Sequence, residues 1–202
     1  MPQDESHRYD VVSSEVVFEG RVYALRRDIV AMPGETTSQR DVVVHPGAVA
    51  VVALRDADVL LVTQYRHPVR RRLEELPAGL LDVTGESGLT AAKRELAEEA
   101  GLAASTWHVL VDILASPGMS DETIRIYLAR DVTETQRHVQ EHEEVELTCR
   151  WLPLAEAVDR ALAGQLENAA AVVGVLAASE ARHRGFTDLR PADAAWTARP
   201  TG

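Results

Sequence analysis

The sequence predicts an α/β domain preceded by an N-terminal β extension, and three observations lead there. Residues 11–18, 22–30 and 40–45 are rich in β-formers and are divided by turn signals at Glu19-Gly20 and Pro33-Gly34. Residues 47–54 and 59–65 are nearly continuous aliphatic runs around Arg55-Asp56-Ala57-Asp58. Leu89, Ala92, Leu96 and Ala100 then recur at helical spacing before Gly101.

Each element follows in chain order. The first three segments form a β-meander too small to fold alone, so they need a partner surface. The next two runs read as a central hairpin whose unbroken aliphatics imply burial on both faces. A basic loop follows, with Arg66, His67, Arg70, Arg71 and Arg72; its last three arginines read as a solvated cluster. After residues 75–82 (ELPAGLLD) and a turn-rich stretch at 84–88 comes a helix, with Thr90 as its N-cap and Gly101 as its stop. Residues 107–114 and 123–128 read as strands around a loop at 116–122. An acidic stretch, 141–146, leads into a strand at 145–152. Pro153 opens a helix to about Leu162, residues 167–178 form another, and the chain after Gly185 reads as a loosely packed tail. The expected organisation is a β segment at 1–45, a main domain at 46–185 and a tail at 186–202.

Composition narrows the function classes. Of 202 residues, 32 are Asp or Glu and 21 are Lys or Arg, a formal net charge of -11. Such a body repels nucleic-acid backbones and anionic membranes. Cys149 is the only cysteine, which excludes an intrachain disulfide and a cysteine zinc site. The longest apolar run, 169–178, is about half a membrane span. The N-terminus lacks the apolar core of a secretory signal. The expectation is a cytoplasmic protein.

The helix carries the chemistry. Glu95, Glu98 and Glu99 project within about 100° of arc, beside the apolar stripe. Arg94 stands four residues before Glu98 and can offset it, whereas Glu95 and Glu99 have no basic residue at i±3 or i±4. Such a face is either solvated or a site for a hard divalent cation. Carboxylates one turn apart can converge on Mg²⁺, which also takes water and phosphate oxygens.

The run from Gly79 to Leu102 resembles the Nudix box, a glycine followed by a spaced glutamate and then Arg-Glu-aliphatic-x-Glu-Glu-x-Gly-aliphatic. Glu86, Arg94, Glu95, Leu96, Glu98, Glu99, Gly101 and Leu102 match it. The departure is one extra residue between Gly79 and Glu86. The resemblance implies an α/β/α sandwich with a mixed sheet. It also implies hydrolysis of nucleoside diphosphates linked to a second group. Glu95, Glu99 and the Ala78 carbonyl would be ligands of Mg²⁺, with Mn²⁺ a substitute, and Glu98 would assist catalysis. Glu86 would pair with Arg94 or reach the metal through water.

Further features resemble the ADP-ribose pyrophosphatase subgroup: Pro117 in SPGMSDE, fifteen residues after Leu102, the approach QYRHPVRRRLEELPAGLL, and the β extension through which its dimers complete each other's sites. The resemblance implies a homodimer and substrate contacts from Arg66, Glu75, Leu80, Ser116, Gly118 and Glu122. It places the general base in the acidic loop, at Glu144, with Glu143 second. Hydrolysis of ADP-ribose would give AMP and ribose 5-phosphate. The competing readings are hydrolysis of another nucleoside-diphosphate sugar, such as GDP-mannose, and a non-catalytic ADP-ribose sensor.

Overall fold

A computed structural model of the chain describes residues 8–135 and 146–197. The chain divides into two compact units, Met1–Pro46 with Leu114–Glu122, and Gly47–Ile113 with Thr123–Gly202.

In the first unit, β1 (Val11–Glu19), β2 (Ala24–Met32) and β3 (Thr36–Val44) form an antiparallel sheet in sequence order. This is the expected meander, with β3 beginning earlier than its Val42-Val43-Val44 run. The 114–122 segment docks along β3: the Val43 N–H donates to the Met119 carbonyl, and the Asp121 N–H donates to that of Val43. Every residue of β1 is exposed.

The second unit holds a mixed sheet. Its path runs through β10 (Thr148–Pro153), β5 (Asp58–Arg66), β4 (Ala48–Arg55), β9 (Thr123–Glu134), β8 (Leu102–Leu114) and β11 (Arg190–Pro191). Strand β4 runs parallel to β9 and antiparallel to β5. Two short strands were not evident as strands in the sequence: β6 (Arg71–Glu75) pairs with β5, and β7 (Ala78–Leu80) pairs with β4. Helix α1 (Gly88–Ala100) is followed later by α2 (Leu154–Leu162) and α3 (Ala169–His183).

Strand alternation separates two cores. Ala50, Val52, Leu54 and Leu61 face Ala157, Ala171, Val175 and Ala178 of α2 and α3. Val49, Val51, Ala53 and Leu60 face Ala91, Ala92 and Leu96 of α1. Helices therefore cover both faces, and the central hairpin is buried as its aliphatic runs require. This α/β/α arrangement presents α1 beside β7, where the candidate chemistry lies. Among the described residues no helix is long and apolar enough to cross a membrane.

Two expectations are corrected. Ser87, not Thr90, caps α1: its Oγ accepts from the Thr90 N–H at 3.1 Å, so the helix starts two residues before Thr90. The stretch after Gly185 is not loose over its described length. The buried Arg125 guanidinium donates to the carbonyls of Ala194 and Ala195 and lies 4.7 Å from the Trp196 ring centroid, while Arg190 pairs with Asp112 at 2.8 Å. A buried guanidinium needs acceptors, and this C-terminal backbone supplies them.

Candidate active site

Helix α1 turns an apolar stripe toward the sheet and carries acidic residues along the margin of that stripe. Its end is set by Gly101, whose φ of 65° gives the left-handed cap and whose N–H donates to the Ala97 and Leu96 carbonyls. Burial follows from register: Glu95 and Glu99 border the apolar stripe of Leu96 and are 9% and 5% exposed. Two carboxylates so far from water need partners.

The partners are specific. Glu99 Oε2 accepts from the Ala78 N–H at 3.0 Å. Glu95 lies against Gly79, where an ideal Cβ would come within 1.9 Å of Oε1. Both carboxylates thus meet the backbone of one short strand. Arg94 organises the other side. Its guanidinium donates twice to Glu86, at 3.1 Å each, and to Glu95 and Glu98 at 2.6 and 3.0 Å. Its hydrogen bonds to Glu86, followed by the charge of Glu95 and the hydrogen bonds to Glu95 and Glu98, outweigh burial and raise the Arg94 pKa far above its ordinary value. The guanidinium stays charged at any pH the fold survives.

This corrects the expectation that Glu95 lacks a basic neighbour. Adjacent helical positions do not share a face, but the Arg94 side chain is long enough to curl back once Glu86 anchors it. Arg94 offsets Glu98 at i,i+4, as the spacing indicates.

The donor set suits a hard cation. Glu95, Glu99 and the Ala78 carbonyl are oxygen donors grouped at one strand, and position 79 leaves the space that the Glu95 carboxylate fills. Among the described residues no three His, Cys, Asp or Glu side chains form a cage. A cation here would therefore complete its shell with water or phosphate oxygens, which is how Mg²⁺ is commonly held.

The other residues singled out by the sequence fall in three places. Arg66 and Glu75 are joined: Nε donates to Oε1 at 2.9 Å and Nη2 to Oε2 at 2.7 Å, with Glu75 only 2% exposed. Leu80 is partly buried in β7, opposite Ala48. Ser116, Gly118 and Glu122 belong to the first unit. There the Ser116 carbonyl accepts from the Met119 and Ser120 N–H groups, and Glu122 Oε1 lies 3.9 Å from His45 Nδ1. Glu143 and Glu144 lie outside the described residues. Sequence reasoning did not find Gly79 as the seat of Glu95; the glycine that opens the matched run to Leu102 was the available signal.

The model of the NUDIX domain matches residues 44–172, which contain the whole of this arrangement. The chain belongs to the NUDIX family. Over 96% of its length it is 50% identical to the ADP-ribose pyrophosphatase of Mycobacterium tuberculosis, covering 94% of that protein. It is 39% identical to the methanol dehydrogenase activator of Bacillus methanolicus, over 67% of this chain and 75% of that one. A crystal structure of an ADP compounds hydrolase superposes with a TM-score of 0.76 at 22% identity, covering 89% of this chain and 97% of the other. That likeness supports the NUDIX sandwich fold.

Proposed function

We propose that this NUDIX protein hydrolyses the pyrophosphate of ADP-ribose to AMP and ribose 5-phosphate. The observation that carries the reading is the 50% identity, over nearly the full length, to a protein named for that reaction. The paired carboxylates on α1 support it chemically. Mg²⁺, or Mn²⁺ in its place, would be held by Glu95, Glu99 and the Ala78 carbonyl. Held by these residues, such a cation would supply positive charge against an anionic substrate on an acidic protein and would stabilise charge as the P–O bond breaks.

The chain's own residues supply the rest. Arg66, oriented by Glu75, offers positive charge to the substrate phosphates. Leu80, Ser116, Gly118 and Glu122 are proposed to contact the remainder of the substrate. Glu144 accepts the proton of the attacking water, with Glu143 the alternative, and Glu98 assists from α1. Water's oxygen bonds to phosphorus as the bridging P–O bond breaks, the bridging oxygen departs with the leaving phosphate monoester, and the proton taken by the base passes on to solvent. We place the reaction in the cytoplasm, in keeping with a single cysteine.

The functional form is proposed to be a homodimer. Strand β1 is a sheet edge whose Val11, Val12, Val16 and Phe18 are more than half exposed. An apolar edge of that length calls for a cover, and a second copy supplies the same edge.

A substrate panel tests the reaction. AMP release from ADP-ribose should exceed hydrolysis of GDP-mannose by at least tenfold in kcat/KM. A higher kcat/KM for GDP-mannose would reassign the substrate. Tight ADP-ribose binding without turnover would favour a sensor.

A further inference from the structure

The C-terminal segment is tied down at successive points and ends against the helix that bears the carboxylates. Strand β11 pairs with β8, Arg190 opposite Val109 and Pro191 opposite His108. Arg125 then donates from Nη1 to the Ala194 carbonyl at 2.6 Å and from Nη2 to that of Ala195 at 2.9 Å, while its Nε and Nη2 hold Asp112. These bonds deliver Trp196 to the first residue of α1. An ideal Cβ on Gly88 would lie 3.3 Å from Trp196 Cζ3, 3.6 Å from Cε3 and 3.0 Å from Tyr127 Oη. So close an approach calls for glycine at the helix start. Trp196 and Ala194 also pack against the cluster that holds Ala91, Ala92 and Leu96. Trp196 Nε1 is buried with no hydrogen-bond partner among the described residues, so packing and the Arg125 guanidinium hold the ring.

We infer that Trp196 is a positioning residue for the carboxylate face of α1, fixing the helix start and with it the register at which Glu95 and Glu99 meet β7. The inference rests on the reading of those two carboxylates as ligands of the cation. The path is short. Gly88 follows Glu86 by two residues, and Glu86 is the double acceptor that anchors Arg94, which in turn bonds Glu95 and Glu98. Glu95 and Glu99 stand about 10.5 and 16.5 Å beyond Gly88 along the helix axis. A helix is rigid over that length, so slack at its first turn reaches both carboxylates. Glu95 tolerates little displacement, because it fills the space over Gly79. A misplacement of about 1 Å arising far from the chemistry can cost on the order of a hundredfold in rate.

The test compares the full chain with Trp196→Ala, Trp196→Phe and Val175→Ala. The last opens a cavity in the core on the opposite face of the sheet from α1. Steady-state kcat for ADP-ribose is read at saturating Mg²⁺, well below every melting temperature. Mg²⁺ affinity is read without substrate, from the dependence of melting temperature on Mg²⁺ concentration. Trp196→Ala should lower kcat about tenfold and weaken Mg²⁺ binding about tenfold. Trp196→Phe, which keeps a ring and loses only the unpartnered Nε1 and some reach, should regain most of both. Val175→Ala should lower the metal-free melting temperature and leave both quantities within about twofold. Where Trp196→Ala does not fold, Trp196→Leu takes its place with the same expectation. Wild-type kcat or wild-type Mg²⁺ affinity in the truncated variant, or the same losses in Val175→Ala, would overturn the inference while leaving the metal assignment intact. A wild-type melt that Mg²⁺ does not move would overturn the metal assignment, and the role of Trp196 with it.

Discussion

The Glu95 carboxylate occupies the space that any side chain on Gly79 would need, since an ideal Cβ there would lie 1.9 Å from Glu95 Oε1 and 2.0 Å from Cδ. A glycine in a short strand and a glutamate on the facing helix therefore constrain each other. Gly79→Ala must displace Glu95. We expect kcat/KM to fall about 10–100-fold, as when the support of a metal ligand is removed. The melting-temperature rise on adding Mg²⁺ should shrink in the same variant. Kinetics and paired melts with Mg²⁺ and with chelator measure both.

Arg94 holds Glu86, Glu95 and Glu98 together with a planar fork that lysine lacks. Arg94→Lys should retain the charge and lose the bidentate bond to Glu86. A tenfold or greater drop in kcat/KM is expected, with stability lower by about 1–2 kcal/mol. Urea denaturation and kinetics on the same preparation separate the two effects.

Much of the site was legible in the sequence because helical spacing is rigid. Glu95, Glu98 and Glu99 had to lie together beside the Leu96 stripe of α1, and the structure buries Glu95 and Glu99 there while leaving Glu98 partly exposed. What spacing could not show depends on side-chain reach and tertiary contact. Arg94 curls back to Glu95, and Glu99 finds its donor at Ala78, 21 positions earlier in the chain. Strand β6 was missed because Arg71 and Arg72 read as part of a basic loop, and β7 because its three residues gain their order from pairing with β4. The C-terminal stretch looked loose because its anchor, Arg125, lies about 70 residues away in sequence.

Arg125 leads to a stability prediction with a defined pH sign. Burial would raise the Asp112 pKa, but hydrogen bonds from Arg125 and Arg190 prevail and hold it below the ordinary value. A carboxyl depressed in the folded state contributes stability that is complete above its unfolded pKa, near pH 4. That contribution is lost as pH falls through the folded pKa. Asp112→Asn leaves Arg125, 3% exposed, with carbonyl acceptors and no countercharge. The variant should lose about 3 kcal/mol at pH 7, and its deficit against wild type should narrow below about pH 4. Denaturation at pH 7 and pH 3.5 checks the magnitude and the sign.

Strand β1 gives the assembly prediction. Val16, 62% exposed at a sheet edge, should be covered in a homodimer. Val16→Glu should shift the protein toward monomer at micromolar concentration, as measured by light scattering. A wild-type chain that is already a fully active monomer would remove the proposed dimer.

The central claim is that the paired carboxylates of α1 serve metal-assisted hydrolysis of ADP-ribose. The most direct measurement combines AMP and ribose 5-phosphate release with the Mg²⁺-induced melting shift, comparing wild type with Glu99→Gln. Wild type should release the two products in equal amounts and melt higher with millimolar Mg²⁺. Glu99→Gln should remain folded while losing at least about 100-fold in kcat and most of the Mg²⁺ shift. Full wild-type turnover in chelator, or a Glu99→Gln variant that keeps both turnover and the shift, would contradict the account.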